Sequence, residues 1–162
     1  MTVDPENKFG IKIQSRGRGR TLEQNFAVLA GIVYVTIGVL GFFWTGLSAN
    51  FTEMNSEALF GIFLINPFHN IVHIAVGGLW LAAAFVLTPA GTEGVNFAIG
   101  GFYLLAAVLG FLGYLSLVSV PGGNDSDNYL HLLSGLAAVV FGSGILSAMM
   151  GSKDRDRTSV NA

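Results

Sequence analysis

The chain has 162 residues, of which 52% are hydrophobic and 11% are charged, and its mean hydropathy is +0.61. Because a soluble domain carries about 25% charged residues, this composition excludes an ordinary soluble globular protein. The lack of cysteine also excludes disulfides, thiolate metal ligands and covalently attached haem.

Residues 1–21 form a basic tail. All eight lysines and arginines lie either in this tail or in residues 151–162, whereas the loops after the first and third apolar segments carry only acidic residues. The positive-inside rule therefore predicts that both termini lie in the cytoplasm. Beside a membrane segment, the arginine–glycine run that ends at Arg20 indicates contact with anionic lipid rather than with nucleic acid.

Four apolar segments between residues 22 and 150 are long enough to cross a bilayer, which takes about 20 residues. They cover residues 26–47, 67–87, 97–118 and 128–149. None of them contains Lys, Arg or Glu. We therefore predict an all-α fold, a multi-pass bundle of four transmembrane helices.

The connection between the first two segments has helical signals of its own. Ser56 is a good helix cap, and residues 57–64 predict a short helix lying in the membrane interface. Asn66 and Pro67 then match the cap and the first position of the second transmembrane helix.

The second half of the chain repeats the first. Positions in the first apolar segment match positions 69 residues later, in the third segment. Positions in the second segment match positions 58 residues later, in the fourth. The pairs are Gly31 with Gly100, Tyr34 with Tyr103, Asn70 with Asn128, His73 with His131, and Gly77 with Gly135. This predicts a tandem duplication of a helix hairpin, with the halves related by a pseudo-two-fold axis along the membrane normal.

A metal site is the first functional interpretation of the repeated motif. His69 and His73 are four residues apart and share a helix face, and the repeat places Asp127 at the position of His69. We expect these three residues to converge with His131 in the outer leaflet. Imidazole and carboxylate groups bind zinc, copper or iron.

A haem site is the second interpretation. His73 and His131 lie at equal depth in the predicted repeat, so that each can provide one axial ligand to iron. Gly77 and Gly135 follow them by four residues and leave room for a planar ring, and Trp80 is predicted to wall the pocket.

A structural interpretation stands beside these two. Asn66, Asn70 and Asn128 lie near helix starts, where side chains satisfy free backbone N–H groups. Tyr34 and Tyr103 are expected to hydrogen-bond each other or a backbone carbonyl. In this interpretation the histidines pair across a tight interface, and the glycines allow close helix packing.

No nucleophile with a neighbouring base and no phosphate-binding loop is present, so we assign no catalytic residue and predict no enzymatic activity. The expected function is that of a small membrane protein in the lipid bilayer, acting as an accessory or structural subunit of a larger complex or homo-oligomer, without a nucleic-acid partner. The alternative is a redox or metal-handling protein that binds a metal ion or haem.

The run from Phe63 to Gly77 resembles the signature of a bacterial membrane family, the domain of unknown function DUF4383. The likeness extends over roughly residues 22–150, and the pattern is Asn-x-x-His-Asn-x-x-His-x-x-x-Gly. Its matching residues are Asn66, His69, Asn70, His73 and Gly77. The resemblance implies a four-helix fold in the inner membrane and implies no activity.

Overall fold

The computed structural model describes residues 19–47, 51–54 and 58–149. The elements are α1 (Leu22–Thr45), β1 (Ala58–Leu59), β2 (Phe63–Leu64), α2 (Pro67–Val86), α3 (Pro89–Phe111), a short 3-10 helix (Ser116–Val118) and α4 (Ser126–Gly142). Within this part of the chain, three helices are long and apolar enough to cross a membrane, namely α1, α2 and α3. The protein is therefore a mostly helical membrane protein.

The second and third helices start where capping residues dictate. Asn66 caps α2 by accepting a hydrogen bond from the backbone N–H of His69, and Pro67 is the first helical residue. Thr88 and Pro89 perform the same two roles for α3. The bounds predicted for the third segment, residues 97–118, are therefore wrong at both ends. Pro89 begins the helix eight residues earlier than predicted, and the helix ends at Phe111.

The fourth helix is shorter than predicted. Asp125 caps it by accepting from the N–H of Asp127, and regular helix ends at Gly142. Gly144 follows with a positive φ of 72°, which interrupts the helix, and residues 145–149 are helical again. The predicted span of 128–149 therefore consists of two helical pieces separated by a turn.

The connection between α1 and α2 is a small β-hairpin and not a helix. Ala58 pairs with Leu64 and Leu59 with Phe63, in antiparallel register. Phe60 and Gly61 form the turn with positive φ angles of 55° and 75°. The helix predicted for residues 57–64 is therefore wrong, and the all-α prediction needs this hairpin added. The predicted cap, Ser56, lies outside the described residues, as does most of the basic tail.

The helices pack as two close pairs, α1 with α2 and α3 with α4. In the first pair, a Cβ added to Gly77 would lie 2.7 Å from the backbone nitrogen of Val35. In the second, a Cβ added to Gly135 would lie 2.9 Å from the backbone nitrogen of Leu104. Glycine is needed at both positions because the backbones approach too closely for any side chain.

The diagonal between α2 and α4 is wide. Among the described residues, no Cα atom of α2 lies within 8 Å of a Cα atom of α4, whereas α1 approaches both α3 and α4. Side chains from α2 and α4 therefore have to fill the space between these two helices. The histidines lie in this gap.

Candidate metal centre

Three histidines meet between α2 and α4. His69 lies in the first turn of α2 and His73 one turn further, with ring centroids 4.3 Å apart. His131 comes from α4, and its ring centroid is 6.0 Å from that of His69. The i, i+4 spacing on α2 places two imidazoles on the face that points at α4.

The ligand atoms of the three side chains are close enough to share an ion. One imidazole nitrogen from each histidine lies within 4.8 Å of the other two. Nitrogens bound to a common ion at about 2.0–2.1 Å are roughly 3.3–3.6 Å apart. Binding of one ion would therefore require these atoms to approach one another by up to about 1.5 Å.

The histidines are buried and incompletely hydrogen-bonded. Their exposed fractions are 2% for His69, 2% for His73 and 4% for His131. Among the described residues, Nδ1 of each ring and Nε2 of His73 have no hydrogen-bond partner. Buried polar atoms in native proteins are nearly always paired, and these four unpaired nitrogens lie in one cluster.

Two connecting loops lie over His69. Main-chain groups of Leu64, in the β-hairpin, and of Val118, in the 3-10 helix, approach its imidazole. The Asn66 side-chain amide donates to the carbonyls of Glu53 and Leu117 at 3.1 and 2.9 Å. Asn66 therefore caps α2 and also hydrogen-bonds the two loops that lie over the histidines.

Two tyrosines line the inner side of the cluster. The ring of Tyr34 is 5.1 Å from that of His73, and the ring of Tyr103 is 5.4 Å from that of His131. The Tyr34 hydroxyl donates to Oγ of Ser134 at 2.7 Å. The two tyrosine rings lie 5.2 Å apart, but the predicted hydrogen bond to each other or to a backbone carbonyl is wrong. Tyr34 bonds a side chain instead, and the hydroxyl of Tyr103 has no partner among the described residues. The partner of Tyr34, Ser134, is one that the sequence motif does not reveal. Its only signal is its position three residues after His131.

Asp127 is not part of the cluster of ligand atoms. It lies in the first turn of α4 and is 1% exposed, and its Oδ2 atom has no partner. However, the group of donors within 4.8 Å contains the three histidines alone among the described residues. Asp127 is one turn before His131 on the same helix face, so the expected four-residue ligand set is reduced to three.

The space expected for a haem ring is filled. Gly77 packs against α1 and Gly135 against α3, at distances that exclude even a methyl group. Trp80 is fully buried and stacks parallel to Tyr103 at 5.9 Å, so it fills the interior of the bundle and lines no open pocket. We therefore correct the interpretation of Gly77, Gly135 and Trp80 as haem contacts to one of helix packing.

The remaining asparagines lie near helix starts, but the prediction that they satisfy backbone N–H groups is wrong, because their side-chain oxygens have no hydrogen-bond partner among the described residues. Asn70 donates to Oγ1 of Thr45 at 3.0 Å, and Asn128 donates to the Gly123 carbonyl at 2.9 Å. The side-chain oxygen of Asn70 lies where a Cβ of Gly41 would stand. The oxygen of Asn128 has the same relation to Gly110.

A second group of buried polar side chains lies elsewhere in the helix interfaces, and no sequence motif points to it. Asn96 donates to the carbonyl of Glu23 at 3.2 Å, and Gln24 donates to that of Leu87 at 3.2 Å. These bonds connect α1 to α3 and to the end of α2. The group contributes to packing and contains no histidine.

Comparison with known proteins gives one match. A family profile described as "Domain of unknown function (DUF4383)" matches residues 24–144, which include all three histidines. No curated protein and no solved structure matches the chain.

Proposed function

We propose, from the premise that this chain belongs to the DUF4383 family, that it is an integral membrane protein that binds one transition-metal ion through His69, His73 and His131. The observation that carries the proposal is the convergence of three buried imidazoles whose ligand atoms lie within 4.8 Å of one another. Neutral imidazole is a good ligand for zinc, copper, iron and nickel.

The free nitrogens favour binding over packing alone. A buried polar atom without a partner costs about 1–3 kcal/mol, and the three rings contain four such atoms. If the cluster only filled space, apolar side chains of similar volume would avoid this cost. An ion that accepts one lone pair from each ring would remove most of this cost, because three of the four unpaired nitrogens would then be bound.

The proposed architecture is the four-span bundle made by duplication of a hairpin. Equivalent contacts in the two halves support it. The Gly31–Gly77 approach between α1 and α2 recurs as Gly100–Gly135 between α3 and α4, at the same two sequence offsets. The fourth span then consists of α4 and the helical turn that follows Gly144, and the pseudo-two-fold axis runs along the membrane normal.

The proposed location is the bacterial inner membrane, with both termini in the cytoplasm. The placement of all lysines and arginines in the two tails supports this orientation. The histidines then lie in the outer leaflet, because His73 is about 10 Å along α2 from its cap at a rise of 1.5 Å per residue. An ion would reach them from the outer face, beneath the two loops.

Elemental analysis of the purified full-length chain tests metal binding. The protein is extracted in mild detergent with an affinity tag that contains no histidine, and is then incubated with zinc or copper and desalted. We expect about one equivalent of metal per chain in the wild type, retained in Asn124→Ala and lost in His73→Ala. A metal-free wild type, or equal metal in His73→Ala, would mean that the cluster has only a packing role.

A visible absorption spectrum of the same sample tests haem binding. A Soret band would support the alternative that the histidines bind haem.

The accessory-subunit role and the lack of enzymatic activity stay predictions. Co-purification after gentle extraction tests the first: a larger complex that persists through two separation steps supports it, and a lone particle contradicts it. Metal binding is independent of this outcome.

A further inference from the structure

We infer that the ion is monovalent copper, Cu(I), and not a divalent cation. The inference rests on the proposed function, because it names the ion that the same three histidines hold. It follows from the charge of the ligands, from their number and from the groups around them.

The charge of the ligand set favours a monovalent ion. All three donors are imidazoles, and Asp127, the carboxylate nearest along α4, is not among the donors. None of the donors themselves would therefore neutralise the charge of a bound ion. The cost of burying an ion in a low-dielectric medium grows with the square of its charge, so a divalent ion costs about four times as much as a monovalent one.

The position of His69 adds to this preference. It lies in the first turn of α2, whose cap residue Asn66 bonds the N–H of His69 itself. A helix N-terminus has a partial positive charge, which repels a cation in proportion to the charge of that cation. Two effects therefore disfavour a divalent ion at this site, namely the cost of desolvation and repulsion by the helix dipole.

The number of donors also agrees with Cu(I). Zinc in proteins almost always has four ligands, and a site with three protein ligands needs a water or another group in the fourth position. Cu(I), a d10 ion, is stable with two or three ligands in linear or trigonal geometry. Here the aromatic rings of Tyr34 and Tyr103 stand beside His73 and His131. The hydroxyl of Tyr34 donates to Ser134, and that of Tyr103 has no hydrogen-bond partner among the described residues.

Competition binding under anaerobic conditions tests the inference. The full-length protein in lipid nanodiscs is titrated with Cu(I) against a chromophoric Cu(I) chelator, and separately with Zn(II) against a zinc indicator. Ag(I), a monovalent d10 ion that is stable in air, serves as an independent probe. We expect Cu(I) to bind at least about tenfold more tightly than Zn(II), because burial of a monovalent ion costs less, and we expect Ag(I) to compete for the same site.

A variant that adds a carboxylate sharpens the test. His131→Asp supplies one negative charge to the ligand set, so it should reverse the order and favour Zn(II) over Cu(I). Circular dichroism and elution volume establish whether this variant folds, and the wild-type titrations decide the question if it does not.

The outcomes separate the two claims. A wild type that binds Zn(II) more tightly than Cu(I), or that fails to bind Ag(I), overturns the inference and leaves the proposed metal site standing. A wild type that binds none of the three ions overturns both.

Discussion

His73 and His131 bring ligand nitrogens within 4.8 Å of each other, although no Cα atom of α2 lies within 8 Å of any Cα atom of α4 among the described residues. The two helices are thus joined here by side chains and not by close backbone packing. Since α2 belongs to one hairpin and α4 to the other, an ion bound by these imidazoles links the two halves of the bundle.

Metal should therefore stabilise the folded bundle. An ion that binds only the native state at 100 times its dissociation constant adds about 2.7 kcal/mol to the free energy of unfolding. We expect saturating metal to raise the SDS concentration at the unfolding midpoint of the wild type. His131→Gln, which leaves only the two ligands of α2, should show little change. An equal shift in both proteins would show that metal acts elsewhere on the chain.

The hydrogen bond from Tyr34 to Ser134 is a second connection between the hairpins, because it runs from α1 to α4. We expect Tyr34→Phe and Ser134→Ala each to lower the free energy of unfolding by about 1 kcal/mol. The double variant should cost less than the sum of the two, since both remove the same bond. Tyr129→Phe is the matched control, because the Tyr129 hydroxyl bonds Asn124 in an exposed position. A comparable loss in that control would contradict the specific role of Tyr34.

The positions of α1 and α2 could be predicted from the sequence to within about four residues because hydropathy alone determines which segments leave water. The start of α3 could not be predicted in this way, because Thr88 and Pro89 are compatible with either the end of one helix or the start of the next. Here they start α3 only three residues after α2 ends at Val86. The β-hairpin was also beyond prediction, because its turn places Phe60, which is not a glycine, at positive φ.

The histidine cluster was largely predictable, and its surroundings were not. The spacing of His69 and His73, together with the repeat that aligns His73 with His131, was sufficient to indicate that three imidazoles converge. Which other side chains join them depends on rotamers and on loop positions. Asp127 stays outside the donor group, and the main chain of Val118 approaches His69 from a 3-10 helix that lies some fifty residues away in sequence.

Neighbouring glycines on α2 should respond in opposite ways to the same substitution. A Cβ at Gly77 would lie 2.7 Å from the Val35 nitrogen, whereas a Cβ at Gly78 would meet nothing within 4 Å. We expect Gly77→Ala to destabilise the protein by about 1–3 kcal/mol through overpacking. Gly78→Ala should be neutral or stabilising by up to about 1 kcal/mol, because alanine favours helix. Denaturant titration of both variants in the same detergent measures the difference, and similar values would contradict the packing assigned to Gly77.

The cysteine-free sequence makes the proposed orientation directly measurable. Asn124 precedes α4 and Ala90 lies in the first turn of α3, and both side chains are exposed. With the termini in the cytoplasm, Asn124→Cys should react with a membrane-impermeant maleimide in intact spheroplasts, and Ala90→Cys should react only after lysis. The reverse pattern would place the histidines in the inner leaflet and the basic tails outside.

Asn66 combines two roles that two substitutions can separate. Its oxygen caps α2 at the N–H of His69, and its amide nitrogen donates to the carbonyls of Glu53 and Leu117. Asn66→Ala removes both, whereas Asn66→Asp keeps a good helix cap and removes only the donor. Loss of the cap costs about 1 kcal/mol, so Asn66→Ala should be the less stable variant.

Hydrogen exchange measured by mass spectrometry should distinguish these variants. We expect Asn66→Asp to lose protection in the outer loops, at residues 51–54 and 114–119, and to keep it in the first turn of α2. Asn66→Ala should lose protection in all of these regions, and Asn124→Ala in none of them. If the loops of Asn66→Asp exchange as slowly as those of the wild type, the donor bonds of Asn66 do not hold the loops over the histidines.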